Sequence, residues 1–274
     1  MAVLDRTKEP GAVGEPLFLD VVAALARARA EGVAHGATSA VVVGGRYGLS
    51  SKEFTPSMAK AALDALATSR PPHGFTLGIV DDVSFRSLPH DPAFDTEPDD
   101  VVRAVFYGLG SDGTVSSNKN TIKIIGGDTP NFAQGYFVYD SKKSGATTVS
   151  HLRFGPRPGR APWLVRRASF VAVHDPKFLE TTDVFEVAAP GATFLLNTPV
   201  PAADVFAGMP REAQEAVLAK RLKVYAIDGA SVAEAAGLGR RISSVMQTCF
   251  FAIAGVLPRD EAILKIRKAA EKKS

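Results

Sequence analysis

The sequence predicts an α/β fold whose sheets are mostly parallel. Short β-branched runs alternate with amphipathic helical stretches along most of the 274 residues. The connections between these stretches are short, which favours right-handed crossovers between neighbouring parallel strands. The composition, 46% hydrophobic and 22% charged, is that of a globular chain with enough length for one large or two modest domains.

The first 80 residues predict a strand–helix alternation. Strands are expected at residues 2–4, 39–44 and 75–80, and helices at 15–29 and 57–66. In the first helix Leu17, Val21 and Leu25 recur at helical spacing, and in the second Pro56 stands near the start. The stretch GGRYGLSSKEFTP between the second strand and the second helix is predicted to be a loop.

A proline-rich acidic connector follows over residues 81–100. Prolines remove hydrogen-bond donors and stiffen the chain, so the segment is predicted to be extended and the domain boundary to lie near Glu97. The adjacent Asp81 and Asp82 favour a turn or a helix cap over a metal or acid–base role.

Residues 101–126 form the stretch on which the second domain is organised. An apolar run at 101–106 predicts a buried strand, a polar turn containing Gly108, Gly110 and Gly113 follows, and a helical segment comes next. Strand, glycine-rich turn and helix is an arrangement that holds phosphates, because glycines permit close approach and free N–H groups attract an anion. A plain strand-to-helix turn is the alternative, and the spacing leaves both open.

The rest of the chain continues the alternation. Strands are predicted at residues 134–139, 147–154, 168–174, 192–197 and 224–227. Helices are predicted at residues 177–180, 210–222, 231–237, 240–256 and 259–272, with Ser231 as the cap of the third. The second domain is therefore predicted to be a Rossmann-like, mostly parallel sheet with helices on both faces and ligands at the carboxyl ends of its strands.

Cations and polar side chains follow several of these strands. Lys119, Asn120 and Lys123 come after the glycine turn, Lys142 and Lys143 lie in the next turn, and Arg153 ends a later strand. If those strands are neighbours, positive charge collects at one rim, which suits a polyphosphate or an adenosine 3′-phosphate. A solvated hairpin turn is the alternative for the lysine pair.

Other functional classes are disfavoured. A formal net charge of +3 does not argue for nucleic acid, and no apolar run reaches the roughly 20 residues of a membrane span. The histidines lack zinc-ligand spacing, and Cys249, the one cysteine, lies in an apolar run that predicts burial in the core. The early charge at Asp5 predicts a cytoplasmic chain without a signal peptide. Ser111-Asp112-Gly113 lacks the later asparagine of a thiamine-diphosphate metal motif.

Several segments resemble one enzyme family. GLGSDGTV, NKNTIKIIG, AQGYFVYDSKKSG and TVSHLRFGP resemble the pyruvate:ferredoxin (flavodoxin) oxidoreductases, as do LDRTKEPGAVGEPLFLDVV and GGRYGLSSKEFTP upstream and MQTCFFAIAGVLP and DEAILKIRKA downstream. The resemblance runs through nearly the whole chain in the family's order. It implies a middle portion of a much longer enzyme, with residues 1–97 a partial transketolase C-terminal-like segment plus connector, and residues 98–274 a gamma-type domain.

The resemblance also implies a role. Enzymes of this family convert pyruvate to acetyl-CoA on thiamine diphosphate and Mg²⁺, and pass electrons through [4Fe–4S] clusters to ferredoxin or flavodoxin. Those cofactors are expected only in partner domains or subunits of a cytoplasmic homo-oligomer, so this chain is expected to hold no catalytic residue or metal and to be inactive alone.

The gamma-type domain is associated with coenzyme A. The expected contacts are Gly108, Gly110, Ser111, Gly113, Thr114, Lys119, Asn120, Lys142, Lys143, Ser144 and Arg153. The alternative is a structural or interaction domain that binds no ligand strongly.

Overall fold

The computed structural model describes residues 1–33, 36–49, 52–140 and 146–256 of the chain. The chain forms two compact units, Met1–Glu97 and Pro98–Ser274. Each unit has its own sheet and its own apolar core.

The first unit is built on a three-stranded parallel sheet. Its elements in chain order are β1 (Ala2–Asp5), α1 (Pro16–Ala30), a 3₁₀ turn (Gly36–Ser39), β2 (Val43–Tyr47), α2 (Pro56–Leu66) and β3 (Phe75–Leu77). The strand order is β1-β2-β3. Thr55 caps α2 by accepting a hydrogen bond from the Met58 N–H. The alternation of strands and helices predicted for this region is confirmed, but one strand lies at a different position from the predicted one.

That strand is the one predicted at residues 39–44. The prediction was wrong in position, because β2 begins at Val43 and includes the GGRY segment that was predicted to be a loop. The two glycines make this possible. A β-carbon on Gly44 would lie 3.1 Å from the Phe18 ring, and one on Gly45 would lie 2.6 Å from the Phe75 ring. Glycine is normally a poor strand former, but it fits at Gly45 because the Phe75 ring occupies the space of a side chain, and the Phe18 ring leaves little room beside Gly44.

The second unit is built on a six-stranded sheet with the order β5-β6-β4-β7-β8-β9. The strands are β4 (Val102–Leu109), β5 (Phe132–Tyr139), β6 (Thr147–Gly155), β7 (Ala168–Val173), β8 (Ala188–Asn197) and β9 (Lys223–Ile227). Strands β4, β7, β8 and β9 are parallel, and β6 is antiparallel to both of its neighbours, β4 and β5. Five of the six strands therefore run in one direction, which confirms the predicted, mostly parallel α/β fold.

Helices cover both faces of this sheet. They are α3 (Thr114–Asp128), α4 (Phe178–Thr181), α5 (Ala202–Val205), α6 (Arg211–Ala219), α7 (Gly229–Ala235) and α8 (Ile242–Ala254). Helices α3 and α8 pack on the face that presents Phe106 and Phe170, and α4, α5 and α6 pack on the face that presents Val105 and Val171. No helix among the described residues is long and apolar enough to cross a membrane.

Two of the differences from the predicted elements concern a helix cap and the glycine-rich turn. Ser231 is not the cap of α7, because the helix begins earlier, at Gly229, and the Asp228 carboxylate accepts hydrogen bonds from both the N–H and the hydroxyl of Ser231. Strand β4 runs on to Leu109, so Gly108 lies inside the strand. The helix predicted at residues 259–272 lies outside the described residues.

Candidate functional site

The carboxyl ends of β4 and β7 mark a topological switch point. The two strands are parallel neighbours, yet α3 after β4 packs on one face of the sheet and α4 after β7 packs on the other. Chains that leave adjacent strands in opposite directions open a crevice at the strand ends, which is the usual ligand position in open α/β sheets. The turn from Leu109 to Thr114, here called the glycine turn, lies at this crevice.

The glycine turn has an unusual backbone. Ser111 and Gly113 both adopt left-handed conformations, with φ of 73° and 87°. The Gly110 N–H donates to the Ala146 carbonyl at 2.7 Å, and Gly113 occupies the N-cap position of α3. A left-handed serine is uncommon and persists only where its surroundings hold it.

The Asp112 carboxylate holds the turn from within. Its Oδ1 accepts the Thr114 N–H at 2.7 Å and its Oδ2 accepts the Leu109 N–H at 2.7 Å. One of the N–H groups at the start of α3 is therefore already bonded to an anion of the chain itself. The N–H groups of Val115 and Ser116, in the same first turn, have no partner within the helix. An external anion at the start of α3 would therefore lie beside the Asp112 carboxylate. The bonds from Asp112 fit a plain strand-to-helix turn, whereas the two N–H groups without a helical partner fit a phosphate site.

The glycines of the turn have different roles. A β-carbon on Gly108 would lie 2.8 Å from Asp112 Oδ2, and one on Gly113 would lie 2.7 Å from Ser243 Oγ. Both glycines are therefore required for the close approach of neighbouring side chains. A β-carbon on Gly110 would lie 3.5 Å from its closest neighbour, the Ala146 carbonyl oxygen, which is ordinary contact.

Sequence reasoning named Thr114 but missed two polar residues that are linked to it along this edge, His174 and Asn197. The Thr114 hydroxyl and His174 Nδ1 are 2.7 Å apart, the Asn197 amide donates to the His174 carbonyl at 2.9 Å, and the Gly229 N–H donates to Asn197 Oδ1 at 2.9 Å. His174 follows β7 directly and Asn197 ends β8. The available signal was a polar residue immediately at the end of a buried strand.

His174 is neutral at physiological pH. Burial lowers its pKa from 6.5 to about 4, and the nearby Asp112 charge opposes this shift only in part. The residue as a whole is 8% exposed. Among the described residues, its Nε2 atom is buried and has no hydrogen-bond partner.

The predicted cations are only partly brought together. Lys119 is exposed in α3, with its Nζ 5.4 Å from the centroid of the Phe137 ring, and Asn120 beside it is half-buried. Lys142, Lys143 and Ser144 lie outside the described residues. Their described neighbours Asp140 and Thr147 share a hydrogen bond of 3.0 Å. Through Tyr139, Thr148 and Gly108, which are aligned across three strands, those neighbours lie at the same end of the sheet as the glycine turn.

Arg153 lies at the other end of the sheet, so the expectation that it shares a rim with the glycine turn was wrong. It is aligned with Arg103 near the start of β4, whereas Gly108 is aligned with Thr148. The reason is that β6 is antiparallel to β4, so its last residues lie beside the first residues of β4. Arg153 is buried and donates to the Trp163 carbonyl at 2.9 Å.

Metal-ligand chemistry has no support in the part of the chain that the structure describes. No group of three His, Cys, Asp or Glu side chains there is arranged to hold a metal ion. Cys249 is partly buried in α8, and burial raises the pKa of its thiol. A lone thiol cannot ligate an iron–sulfur cluster, which takes about four cysteines.

Comparisons with known proteins place these observations in a family. Residues 103–274 match the model of the family described as pyruvate ferredoxin/flavodoxin oxidoreductase. The pyruvate-flavodoxin oxidoreductase of Rhodospirillum rubrum is 57% identical over 272 residues, which are 99% of this chain and 23% of that protein. The pyruvate:ferredoxin oxidoreductase of Moorella thermoacetica is 49% identical over 272 residues, which are 99% of this chain and 22% of that protein.

A solved structure shares the fold. The crystal structure of pyruvate oxidoreductase subunit PORC from Thermotoga maritima superposes with a TM-score of 0.50 and 17% sequence identity, over 64% of this chain and 86% of that one. At this identity the likeness concerns the fold alone. The chain spans less than a quarter of the length of the curated relatives that it matches.

Proposed function

The chain belongs to the pyruvate ferredoxin/flavodoxin oxidoreductase family, and from this premise we propose that it forms part of an enzyme that oxidatively decarboxylates pyruvate to acetyl-CoA. Residues 1–97 then correspond to a transketolase C-terminal-like segment and residues 98–274 to a gamma-type domain. Thiamine diphosphate, Mg²⁺ and the [4Fe–4S] clusters that deliver electrons to ferredoxin or flavodoxin belong to other parts of a cytoplasmic homo-oligomer. The single cysteine supports the placement of the iron–sulfur clusters outside this chain, because a cluster takes about four cysteines.

The role that we propose for the second unit is to bind coenzyme A, the acyl acceptor of the reaction. The observation that carries the proposal is the glycine turn, which stands with the N-terminus of α3 at the switch point between β4 and β7. The unpaired N–H groups of a helix start and its dipole favour a phosphate. Beside Asp112, the remaining donors in the first turn of α3 are the N–H groups of Val115 and Ser116, which have no partner within the helix.

The cations of the proposed site are Lys119, Lys142 and Lys143. Lys119 is on the first turns of α3, and Lys142 and Lys143 belong to the connection between β5 and β6, two strands whose described ends reach the same edge. Charge-assisted hydrogen bonds from such groups to a phosphate contribute on the order of 1–3 kcal/mol each. Arg153 is left out of the proposed site because it lies at the opposite end of the sheet.

We predict that the double substitution Lys142→Ala and Lys143→Ala weakens coenzyme A binding roughly tenfold or more, since about 1.4 kcal/mol corresponds to tenfold. Isothermal titration calorimetry on the 274-residue chain would measure the affinity. Raising the salt to about 1 M shortens the Debye length to roughly 3 Å, and should weaken the wild-type interaction as well.

The matched control removes two cations from the amino-terminal edge of the same sheet. Arg167 precedes β7 and Lys223 begins β9, and both are exposed. The double substitution Arg167→Ala and Lys223→Ala changes the net charge equally and should leave the affinity within about twofold. Equal losses in the two double variants would show that only net charge matters. Wild-type chain that binds no coenzyme A would favour the alternative of a structural domain.

The 274-residue chain supplied with pyruvate, coenzyme A, thiamine diphosphate, Mg²⁺ and a viologen dye is expected to produce no acetyl-CoA and no reduced dye. A single cysteine cannot supply the electron path that the family's reaction requires. The assay should be read together with a positive control that contains a complete homologous enzyme. Turnover by the chain alone would contradict the proposed division of labour.

A further inference from the structure

His174 is held in place by three different elements of the second unit. Its N–H donates to the Tyr107 carbonyl in β4 at 3.0 Å, and its carbonyl accepts from the Asn197 side chain at the end of β8 at 2.9 Å. Its Nδ1 lies 2.7 Å from the Thr114 hydroxyl, and Thr114 is the first residue of α3. The imidazole therefore connects β7 directly to the helix that begins at the glycine turn.

A buried imidazole at this position is less favourable for stability than an apolar side chain would be. The residue is buried, and the Nε2 atom of its ring has no partner among the described residues. When Thr114 donates to Nδ1, the proton on Nε2 is unsatisfied. When Nδ1 donates instead, the lone pair on Nε2 is unsatisfied. Either state leaves one buried polar group without a partner, a cost that an apolar side chain of similar size would avoid. Stability alone therefore does not explain a histidine at this position.

The imidazole contacts the turn through the Thr114 hydroxyl. Asp112 already bonds the Thr114 N–H, and Ser111 is in a left-handed conformation that its own residue type disfavours. The His174 contact fixes Thr114 from the side of the sheet while Asp112 fixes it from the side of the turn. With both contacts in place, the N–H groups of Val115 and Ser116 are presented in one orientation.

We infer that His174 is a positioning residue for the glycine turn: through Thr114 it holds the start of α3 in the conformation that the proposed coenzyme A contacts require. The inference rests on the proposed function for its ligand, but the rigidity of the turn is measurable without any ligand. Its chemical basis is a single neutral hydrogen bond between a side-chain hydroxyl and an imidazole.

The test compares His174→Leu, His174→Asn and His151→Leu in the 274-residue chain. His151 is the matched control, because it is also buried in the same sheet, and its Nδ1 accepts one hydrogen bond, from the Val165 N–H at 3.2 Å. Asparagine carries a polar atom close to the position of Nδ1 and can retain the contact to Thr114. The readouts are amide hydrogen exchange at residues 111–116 and calorimetry with coenzyme A. Each variant is compared with the wild type under conditions in which the two have the same free energy of global unfolding.

We expect His174→Leu to accelerate exchange at residues 111–116 at least tenfold and to weaken coenzyme A binding about tenfold. His174→Asn should restore most of both, and His151→Leu should change neither at matched stability. Equal exchange at the turn in the two leucine variants, or no rescue by asparagine, would overturn the inference. Absence of coenzyme A binding in the wild-type chain would count against the proposed function alone, since the exchange data would still decide whether His174 holds the turn.

A second pair of variants keeps the test decisive if His174→Leu does not fold. Thr114→Val removes the hydroxyl from the other side of the same contact and preserves the shape, whereas Thr114→Ser preserves the hydroxyl. The valine variant should loosen the turn as much as His174→Leu is expected to, and the serine variant should not. A valine variant with the exchange rates of wild type would overturn the inference.

Discussion

Replacing Phe250 by alanine is expected to lower the free energy of unfolding of the second unit by about 3–5 kcal/mol. The Phe250 ring is 0% exposed, and it makes contacts with four other aromatic rings whose centroids lie within 6 Å. Those rings belong to Phe106, Phe154, Phe170 and Phe251. Truncation removes the apolar contacts and leaves a cavity that close-packed neighbours cannot collapse to fill.

The loss should also reach the candidate site, because α8 supports α3. In the interface between these helices the Ser117 hydroxyl donates to the Ser243 carbonyl, and the Gln247 amide donates to the Ser117 carbonyl and to the Thr121 hydroxyl. Phe250 anchors α8 to the sheet, and these buried hydrogen bonds anchor α3 to α8. Weaker packing of α8 should therefore increase the mobility of the start of α3.

Urea unfolding followed by circular dichroism would measure the change. Phe132→Ala is the matched control, because it removes the same ring from the edge strand β5, where the residue is 47% exposed. The control should lose less than about 1 kcal/mol. Similar losses in the two variants would contradict the burial on which the prediction depends.

Lowering the pH from about 6.5 to 4 is expected to reduce the stability of the second unit by roughly 3–6 kcal/mol. Burial lowers the pKa of both His151 and His174 from 6.5 to about 4, and the Arg153 charge adds to the effect on His151. Over that range the unfolded chain takes up a proton at each histidine and the folded chain does not. The stability is therefore fully present above pH 6.5, falls as the pH falls, and stops falling from this cause below pH 4.

The histidine contribution can be separated from that of the carboxylates. The double substitution His151→Asn and His174→Asn removes both imidazoles, and it should flatten the pH dependence of the unfolding free energy between pH 6.5 and 4.5. Its absolute stability will be lower, so the slope is the quantity to compare. A slope equal to that of the wild type would mean that other groups cause the acid destabilisation.

Much of the fold could be predicted from local patterns in the sequence. The alternation of strands and helices, the buried strand at β4, the glycine turn after it and the long apolar helix α8 all follow from hydrophobic periodicity and from glycine spacing. These features depend on residues close together in the chain, and side chains within a few positions of one another determine which face of an element is apolar. The position of β2 could not be predicted in this way, because the Phe18 and Phe75 rings that pack against Gly44 and Gly45 come from distant parts of the chain.

The candidate site depended far more on contacts between distant residues. Arg153 looked like a neighbour of the glycine turn until the antiparallel direction of β6 placed it at the opposite edge of the sheet. No local motif in the sequence marked His174. Because β4 and β7 are adjacent, the Thr114 hydroxyl lies 2.7 Å from Nδ1 of its ring. The Nε2 atom on the other side of the ring is buried and has no hydrogen-bond partner among the described residues. Strand order and direction are set by pairings across tens of residues, and burial follows from them. Residue types and spacing thus identified a glycine turn, whereas the three-dimensional arrangement decided which side chains surround it and whether they are charged.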